Sequence, residues 1–221
     1  MIQMQPSNRQ ALETYAPDLL AQLEGADERE SQEDMLYSAC RAKDGYLIDM
    51  LSDGDKTIYL QSQYRPLDEA FRFAKQYENA KDSSCFLFLG MGNGYIIREL
   101  MQRENITFIF YEPSVSYFMY VLENYDISDI FQAKNVRIFV KGLNDSSMLL
   151  EMYVYITQWN WHSVYLESMP KYQQLYPDII TFLAKLREDS IWHAQQNYIN
   201  KLRMSDANIR NAIYNLQYIY S

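Results

Sequence analysis

The sequence predicts an α/β protein with a doubly wound, mostly parallel sheet. Residues 85–89 form an unbroken apolar run that ends in a glycine-rich turn and is followed by a helical pattern. The same alternation continues with apolar runs at residues 106–111 and 136–140. Continuous apolar runs are typical of strands buried on both faces of a parallel sheet. Strands alternating with helices build half of a doubly wound sheet. We therefore expect a Rossmann-like, methyltransferase-like unit.

Composition and charge exclude several classes of protein. The chain has 221 residues, with 20 basic against 29 acidic side chains and a formal net charge of −9. This acidity leaves little positive charge to neutralise a phosphate backbone, so we expect no nucleic-acid partner. No apolar run approaches the ~18 residues that a membrane span needs, and the start lacks the pattern of a secretory signal. A cytoplasmic protein without a membrane partner is predicted.

Three regions are expected along the chain. Residues 1–40 predict a loosely attached, acidic and helical lead-in; residues 41–168 predict a β-hairpin followed by the Rossmann-like domain; residues 169–221 predict a helical extension. Cys85 opens an apolar run and is predicted to be a reduced core thiol, although the sequence leaves pairing with Cys40 open.

Alternating residues at 46–51 and 58–61 predict the two strands of the hairpin, joined by a turn at residues 52–56. Within it, Asp53-Gly54-Asp55 matches the Asp-x-Asp of metal-dependent sugar transferases, but the turn explains these residues, and no metal site is predicted. Pro66 then opens a helix. Its expected apolar face comprises Leu67, Ala70, Phe71, Ala74 and Tyr77.

The second half of the chain predicts further strands and helices. Helices are expected at residues 95–102, at 114–125 with Ser114 as its N-cap, and at 144–157, followed by a strand at 162–166. The remainder is helical. No terminating signal follows its last apolar stripe. We therefore expect this stripe to pack on a missing downstream domain, to fold back onto the core, or to form a homodimer through the C-terminal helices. The stripe comprises Ile209, Ile213, Leu216 and Tyr220.

The glycine-rich turn is the candidate ligand site. Glycines between a buried strand and a helix let a ligand approach the backbone, and an acid at the end of the next strand can accept hydrogen bonds from a ribose. The predicted site residues are Gly90, Gly92, Asn93, Gly94 and Glu112.

The spacing of the turn leaves its function open. A dinucleotide fingerprint has its third glycine five positions after the first, where this chain has Tyr95. Glycine at the fourth position is similar to the first motif of S-adenosylmethionine-dependent methyltransferases. However, Phe88 stands where those enzymes carry an acid, and no catalytic tetrad like theirs follows. The turn is therefore either a nucleoside site or purely structural, and no tightly bound cofactor is expected.

Catalytic and metal-binding residues are not predicted. His162 and His193 are isolated, no Cys or His occurs at metal spacing, and neither a Gly-x-Ser-x-Gly elbow nor a phosphate-binding loop is present.

Two stretches resemble a known family. Residues 59–70, Tyr-Leu-Gln-Ser-Gln-Tyr-Arg-Pro-Leu-Asp-Glu-Ala, are similar to a segment of the motility accessory factor (Maf) glycosyltransferases, which are in turn similar to archaeal pterin pyrophosphokinase-like proteins. In that family a strand, a Gly-x-Gly-x-Gly-Tyr turn and a strand ending in Glu-Pro follow. Residues 86–95 and 108–113 match them in order and spacing. The resemblance covers residues 40–145.

The resemblance implies a bacterial, cytoplasmic function. Maf enzymes transfer nonulosonic acids to Ser or Thr of flagellin, and their chemistry is attributed to a central domain that begins with a Gly-Pro-Ser-Leu-like motif. This chain contains no such motif. The resemblance therefore implies an amino-terminal, non-catalytic accessory domain, with the downstream domain and flagellin as partners.

Overall fold

The computed structural model describes residues 3–25, 36–53, 56–156 and 160–219. The strands are β1 (Leu36–Arg41), β2 (Leu47–Asp53), β3 (Lys56–Tyr59), β4 (Cys85–Leu89), β5 (Thr107–Glu112), β6 (Val136–Val140) and β7 (Val164–Ser168). The helices are α1 (Pro6–Tyr15), α2 (Pro17–Gly25), α3 (Pro66–Lys75), α4 (Tyr95–Leu100), α5 (Val115–Asn124), α6 (Ser128–Gln132), α7 (Met148–Tyr155), α8 (Tyr172–Leu175) and α9 (Pro177–Ile219).

The four-stranded sheet confirms the predicted fold class. Its strand order is β6-β5-β4-β7, and every neighbouring pair is parallel. All five residues of β4 are buried, as expected for a strand covered on both faces. The three strands predicted from apolar runs are adjacent, and the fourth, β7, begins two residues later than its predicted start. The chain is thus an α/β protein with a Rossmann-like parallel sheet.

A separate antiparallel sheet contains the predicted hairpin and one further strand. In it β2 pairs with β3, as expected, and also with β1. The sequence did not predict β1, and the boundary expected at residue 40 lies inside it. Four of the six residues of this edge strand are exposed, and its apolar residues do not alternate with polar ones as they do in a half-buried strand. The Asp53-Gly54-Asp55 motif lies mostly outside the described residues.

The lead-in helices are packed on the core, and the expectation of loose attachment was wrong. The Asn8 side-chain amide donates to the carbonyls of Leu122 at 2.9 Å and Tyr125 at 2.7 Å, and its oxygen accepts from the backbone of Ile127 at 2.8 Å. Asn8 therefore satisfies backbone groups at the end of α5 that the helix leaves unpaired. Leu12 is fully buried beside it. The crowded acidic residues at 27–34 lie outside the described residues.

Helix α3 begins at Pro66 as predicted, but one residue of its expected apolar face is wrong. Phe71 is 57% exposed, whereas Phe73 packs on the core, with its ring 6.1 Å from that of Phe88. The N-cap of α5 is confirmed, because the Ser114 hydroxyl accepts from the Tyr117 backbone at 3.0 Å.

Helix α9 has two unlike parts. Its first turns bury Leu183, Ser190 and Ala194 against the domain. Every residue from 197 to 211 is exposed. Ile209 is 55% exposed and does not fold back onto the core. The other members of the predicted stripe, Ile213, Leu216 and Tyr220, lie outside the residues whose side chains are described.

Candidate functional site

The glycine turn follows β4 and leads into α4. Gly90, Gly92 and Gly94 have φ values of +84°, +61° and +94°, a region that side chains rarely adopt. A Cβ atom on Gly90 would lie 2.2–2.4 Å from ring atoms of Tyr172, and one on Gly94 would lie 2.9 Å from the Ile130 side chain. At Gly92 nothing lies within 4 Å. Close contacts with neighbouring side chains therefore require glycine at residues 90 and 94. At residue 92 only the positive φ favours glycine.

Glu112 ends β5 and is fully buried. One carboxylate oxygen accepts hydrogen bonds from the Met91 backbone at 3.1 Å and from the Tyr172 hydroxyl at 2.8 Å. The other accepts from the Ser114 backbone at 3.1 Å. The carboxylate thus joins the glycine turn, the start of α5 and the start of α8. Hydrogen bonds of this kind compensate for the loss of water around a buried charge.

Tyr172 was not among the predicted site residues, yet it occupies the centre of this site. It begins α8, directly after Lys171, whose φ is +72°. The phenol is buried against Gly90 and donates to Glu112. Burial first, and then the charge of Glu112, raise the pKa of this hydroxyl well above its ordinary value. The Tyr172 ring therefore lies beside Gly90, where the sequence predicts an approaching ligand. Its hydroxyl donates to Glu112, the acid that was predicted to accept hydrogen bonds from a ribose.

The predicted residues come together, and the space in front of them is small. Leu60, Gln61, Pro66 and Glu69 face the turn across a groove, so the two stretches that carry the resemblance meet at one place. The enclosed cavity at the bottom of the groove has a volume of only about 20 Å³. That room suffices for about one water molecule. Binding of a ligand by the five predicted residues stays a prediction.

Asn93 connects the turn to a second buried cluster. It is 2% exposed, and its side-chain oxygen accepts from the Tyr95 backbone at 3.5 Å. Its Nδ2 has no partner within hydrogen-bond geometry. Burial and the charge of Asp49 raise the pKa of the Tyr125 hydroxyl, and the nearby Asn93 amide partly offsets that rise. The Asn93 amide therefore lies near the Tyr125 hydroxyl, but not at the distance and angle of a hydrogen bond.

The second cluster surrounds Asp49, which lies on β2 and is fully buried. Its carboxylate accepts from the hydroxyls of Tyr117, at 2.6 Å, and Tyr125, and from the Gln61 amide at 3.2 Å. Burial raises the pKa of this carboxyl, and the hydrogen bonds from Tyr117, Tyr125 and Gln61 oppose that rise. The signal in the sequence was an acid between Leu47 and Leu51, at alternate positions that share one face of a strand.

The remaining candidates show no constellation for chemistry. Both cysteines are free, and burial raises the pKa of the Cys85 thiol to about 12, as suits a core residue. His162 lies against Trp161, and His193 lies against Tyr153 and Trp192. The described residues contain no group of three or more side chains suited to hold a metal ion. Nor does any described helix have the length and apolar character to cross a membrane.

The fold and the glycine turn define a Rossmann-like α/β domain, and the comparisons with known proteins extend that description. Among solved structures, the MAf glycosyltransferase from Magnetospirillum magneticum AMB-1 matches with a TM-score of 0.52 at 10% sequence identity. The match covers 84% of this chain and 34% of that one. This chain therefore has a fold like that of about a third of a Maf glycosyltransferase. No protein-family model matches the chain, and no curated protein matches it.

Proposed function

We propose that this chain is the amino-terminal accessory domain of a Maf-type glycosyltransferase that modifies Ser or Thr of flagellin with nonulosonic acids. The observation that carries the proposal is the structural match, which spans 84% of this chain but only 34% of the MAf glycosyltransferase. The two sequence stretches that resemble the family also line one groove. The proposed partners are a downstream catalytic domain in the same protein and flagellin, in the cytoplasm.

The closed glycine turn supports a non-catalytic role for the domain. Tyr172 packs on Gly90 and uses an oxygen of Glu112 that a ribose would need. A nucleoside could reach the turn only if this buried ring moved away. The domain would then contribute by organising the enzyme or helping to bind the protein acceptor, while the downstream domain carries out the transfer.

The alternative is an S-adenosylmethionine-dependent methyltransferase-like enzyme. The arrangement of three glycines after β4 and an acid at the end of β5 favours it. Phe88 in place of an acid, and Tyr172 over Gly90, oppose it.

A calorimetric titration of the 221-residue chain with S-adenosylmethionine separates these two functions. We expect no heat of binding from the wild-type chain. A dissociation constant in the low micromolar range or below would favour the methyltransferase hypothesis and would contradict the accessory role. Tyr172→Ala serves as the matched variant, because it removes both the ring that covers Gly90 and the hydroxyl that occupies Glu112. Binding that appears only in this variant would show that Tyr172 blocks an otherwise competent site.

The family assignment has its own test. The reading frame that continues after Ser221 should encode a Gly-Pro-Ser-Leu-like segment. The full-length protein should then add a nonulosonic acid to flagellin, detected by mass spectrometry of flagellin peptides, and the 221-residue chain alone should add none. A reading frame that stops at Ser221 or continues without that motif would contradict the assignment.

A further inference from the structure

The exposed part of α9, residues 197–211, lacks a partner within the described chain. Fifteen consecutive residues are exposed on every side of the helix. A helical segment of about this length is only marginally stable alone in water, because most helix stability in proteins comes from packing of an apolar face. Large apolar side chains are nevertheless present on it, with Leu202 and Ile209 50% and 55% exposed. The segment therefore has the properties of a helix that packs against something else.

The exposed part of α9 can be placed on the heptad repeat of a coiled coil, with apolar residues at three of its four seam positions. Tyr198 and Ser205 occupy d positions, and Leu202 and Ile209 occupy a positions, so the spacing alternates between four and three residues. The sequence continues the pattern with Ala212, Leu216 and Ile219. A repeat of 3.5 residues keeps one narrow seam facing a second, supercoiled helix.

The charged residues beside this seam indicate both the partner and its direction. Lys201 occupies a g position, and Asp206 occupies the e position of the following heptad. In a parallel, in-register pair a g residue faces the e residue five positions further along the other helix. Lys201 of one chain therefore faces Asp206 of a second copy, and the symmetry provides this attraction twice. In an antiparallel pair, g positions instead face g positions and e positions face e positions, so the attraction between Lys201 and Asp206 is lost.

Gln195 supports the same arrangement. It occupies an a position where the packing of α9 on its own domain ends, and a parallel in-register pair sets it opposite its own copy. A side-chain amide both donates and accepts hydrogen bonds, so two facing copies can satisfy each other. A single polar a position is a known means of specifying register in coiled coils.

We propose that α9 forms a parallel two-stranded coiled coil with a second copy of this chain, centred on Leu202 and Ile209. The domain is thereby presented as a pair, with both Rossmann-like units at the same end of the coil. This inference is independent of the proposed glycosyltransferase function.

Sedimentation of the 221-residue chain tests the seam. We expect a concentration-dependent dimer. Leu202→Asp should raise the dissociation constant of the dimer about a hundredfold or more, because each of two buried leucines contributes more than a factor of ten. Met204→Asp is the matched control on the same helix, since Met204 is 68% exposed at a c position and should leave the dissociation constant unchanged. Circular dichroism verifies that each variant remains folded.

Charge exchange and cross-linking test the direction. Asp206→Lys should weaken the dimer severalfold, and adding Lys201→Asp should restore it. In a Cys40→Ser background, Leu202→Cys should form an intermolecular disulfide readily, and Met204→Cys should not. A chain that stays monomeric, a dimer indifferent to Leu202→Asp, or a dimer that forms no disulfide at residue 202 would each overturn the proposal.

Discussion

The two sheets of this protein are held in place by different physics. The parallel sheet is apolar on both faces. Rings of Phe86, Phe88, Phe108 and Phe110 stack along and across its strands at centroid distances of 5.2–6.3 Å. It is stabilised by removing apolar surface from water, at about 25 cal/mol per Å².

The antiparallel sheet joins the rest of the molecule through apolar contacts, such as that of Tyr37 with Tyr117, and also through buried polar groups. The Asp49 carboxylate accepts from Tyr117 and Tyr125 of the Rossmann-like unit, and the Leu47 carbonyl accepts from the Tyr95 hydroxyl at 3.0 Å. Hydrogen bonds contribute a modest net free energy when they are made, and a buried group left without its partner costs more. The difference teaches that the stacked phenylalanine rings of the parallel sheet contain no group that titrates, whereas the attachment of the antiparallel sheet depends on the protonation state of Asp49.

The largest expected effect is on the core of the parallel sheet. Phe88→Ala should lower the free energy of unfolding by about 3–5 kcal/mol, because it leaves a cavity among packed rings. Urea unfolding followed by fluorescence measures it. Phe71→Ala, at a position 57% exposed on α3, is the matched control and should change stability by less than about 0.5 kcal/mol. Equal losses in the two variants would contradict the described orientation of α3.

The next effect concerns the end of the parallel sheet, where polar contacts begin. Gly90→Ala should cost about 2–4 kcal/mol, since a Cβ atom would overlap the Tyr172 ring and φ is +84°. Gly92→Ala adds a Cβ atom into open space at φ +61° and should cost only about 1–2 kcal/mol. Urea midpoints of the two variants give the comparison. If Gly92→Ala were the more costly change, the Tyr172 contact would not be the reason for glycine at residue 90.

The polar attachment should show a pH dependence that the stacked phenylalanine rings lack. Burial raises the pKa of Asp49 above its ordinary value of 3.8, so the folded chain holds this proton more tightly than the unfolded chain does. Asp49 thus makes a contribution to stability that is fully present below about pH 3.8 and is lost as pH rises through the raised pKa, with a slope of at most about 1.4 kcal/mol per pH unit.

Unfolding free energies across roughly pH 4–7 measure this slope in the wild-type chain and in Asp49→Asn. The difference between wild type and the variant should decrease as pH rises. Asp68→Asn, whose side chain is 59% exposed on α3, is the control and should follow the wild-type curve. A wild-type curve that runs parallel to that of Asp49→Asn would show that this carboxyl does not titrate differently in the folded state.

The comparison between the two sheets can also be tested without a substitution, because each sheet contains one free cysteine. Cys85 is buried in β4 with its thiol pKa raised to about 12, and Cys40 is half-buried in the edge strand β1. A thiol reagent should label Cys40 in the native protein, whereas Cys85 should react only when the sheet opens, since the thiolate is the reactive form. Mass spectrometry of timed samples distinguishes the sites. Faster labelling of Cys85 would reverse the comparison between the sheets.

Much of the fold could be predicted because it depends on local patterns. Continuous apolar runs identified β4, β5 and β6, and Pro66 and Ser114 marked the starts of two helices. The edge strand β1 was missed because its exposed residues carry no hydrophobic period. The five predicted site residues also lie together, since the ends of neighbouring parallel strands meet at one edge of a sheet.

What the sequence by itself determined is therefore the order of strands and helices and the position of the glycine turn. Only the tertiary structure decided what fills that turn. Tyr172 reaches Glu112 across 60 residues, and Tyr117 reaches Asp49 across 68. No local pattern encodes such a pairing, because it depends on how intervening loops direct α8 and β2 toward the sheet. A buried carboxylate needs a hydrogen-bond partner, but which of the 20 tyrosines provides it is determined by packing.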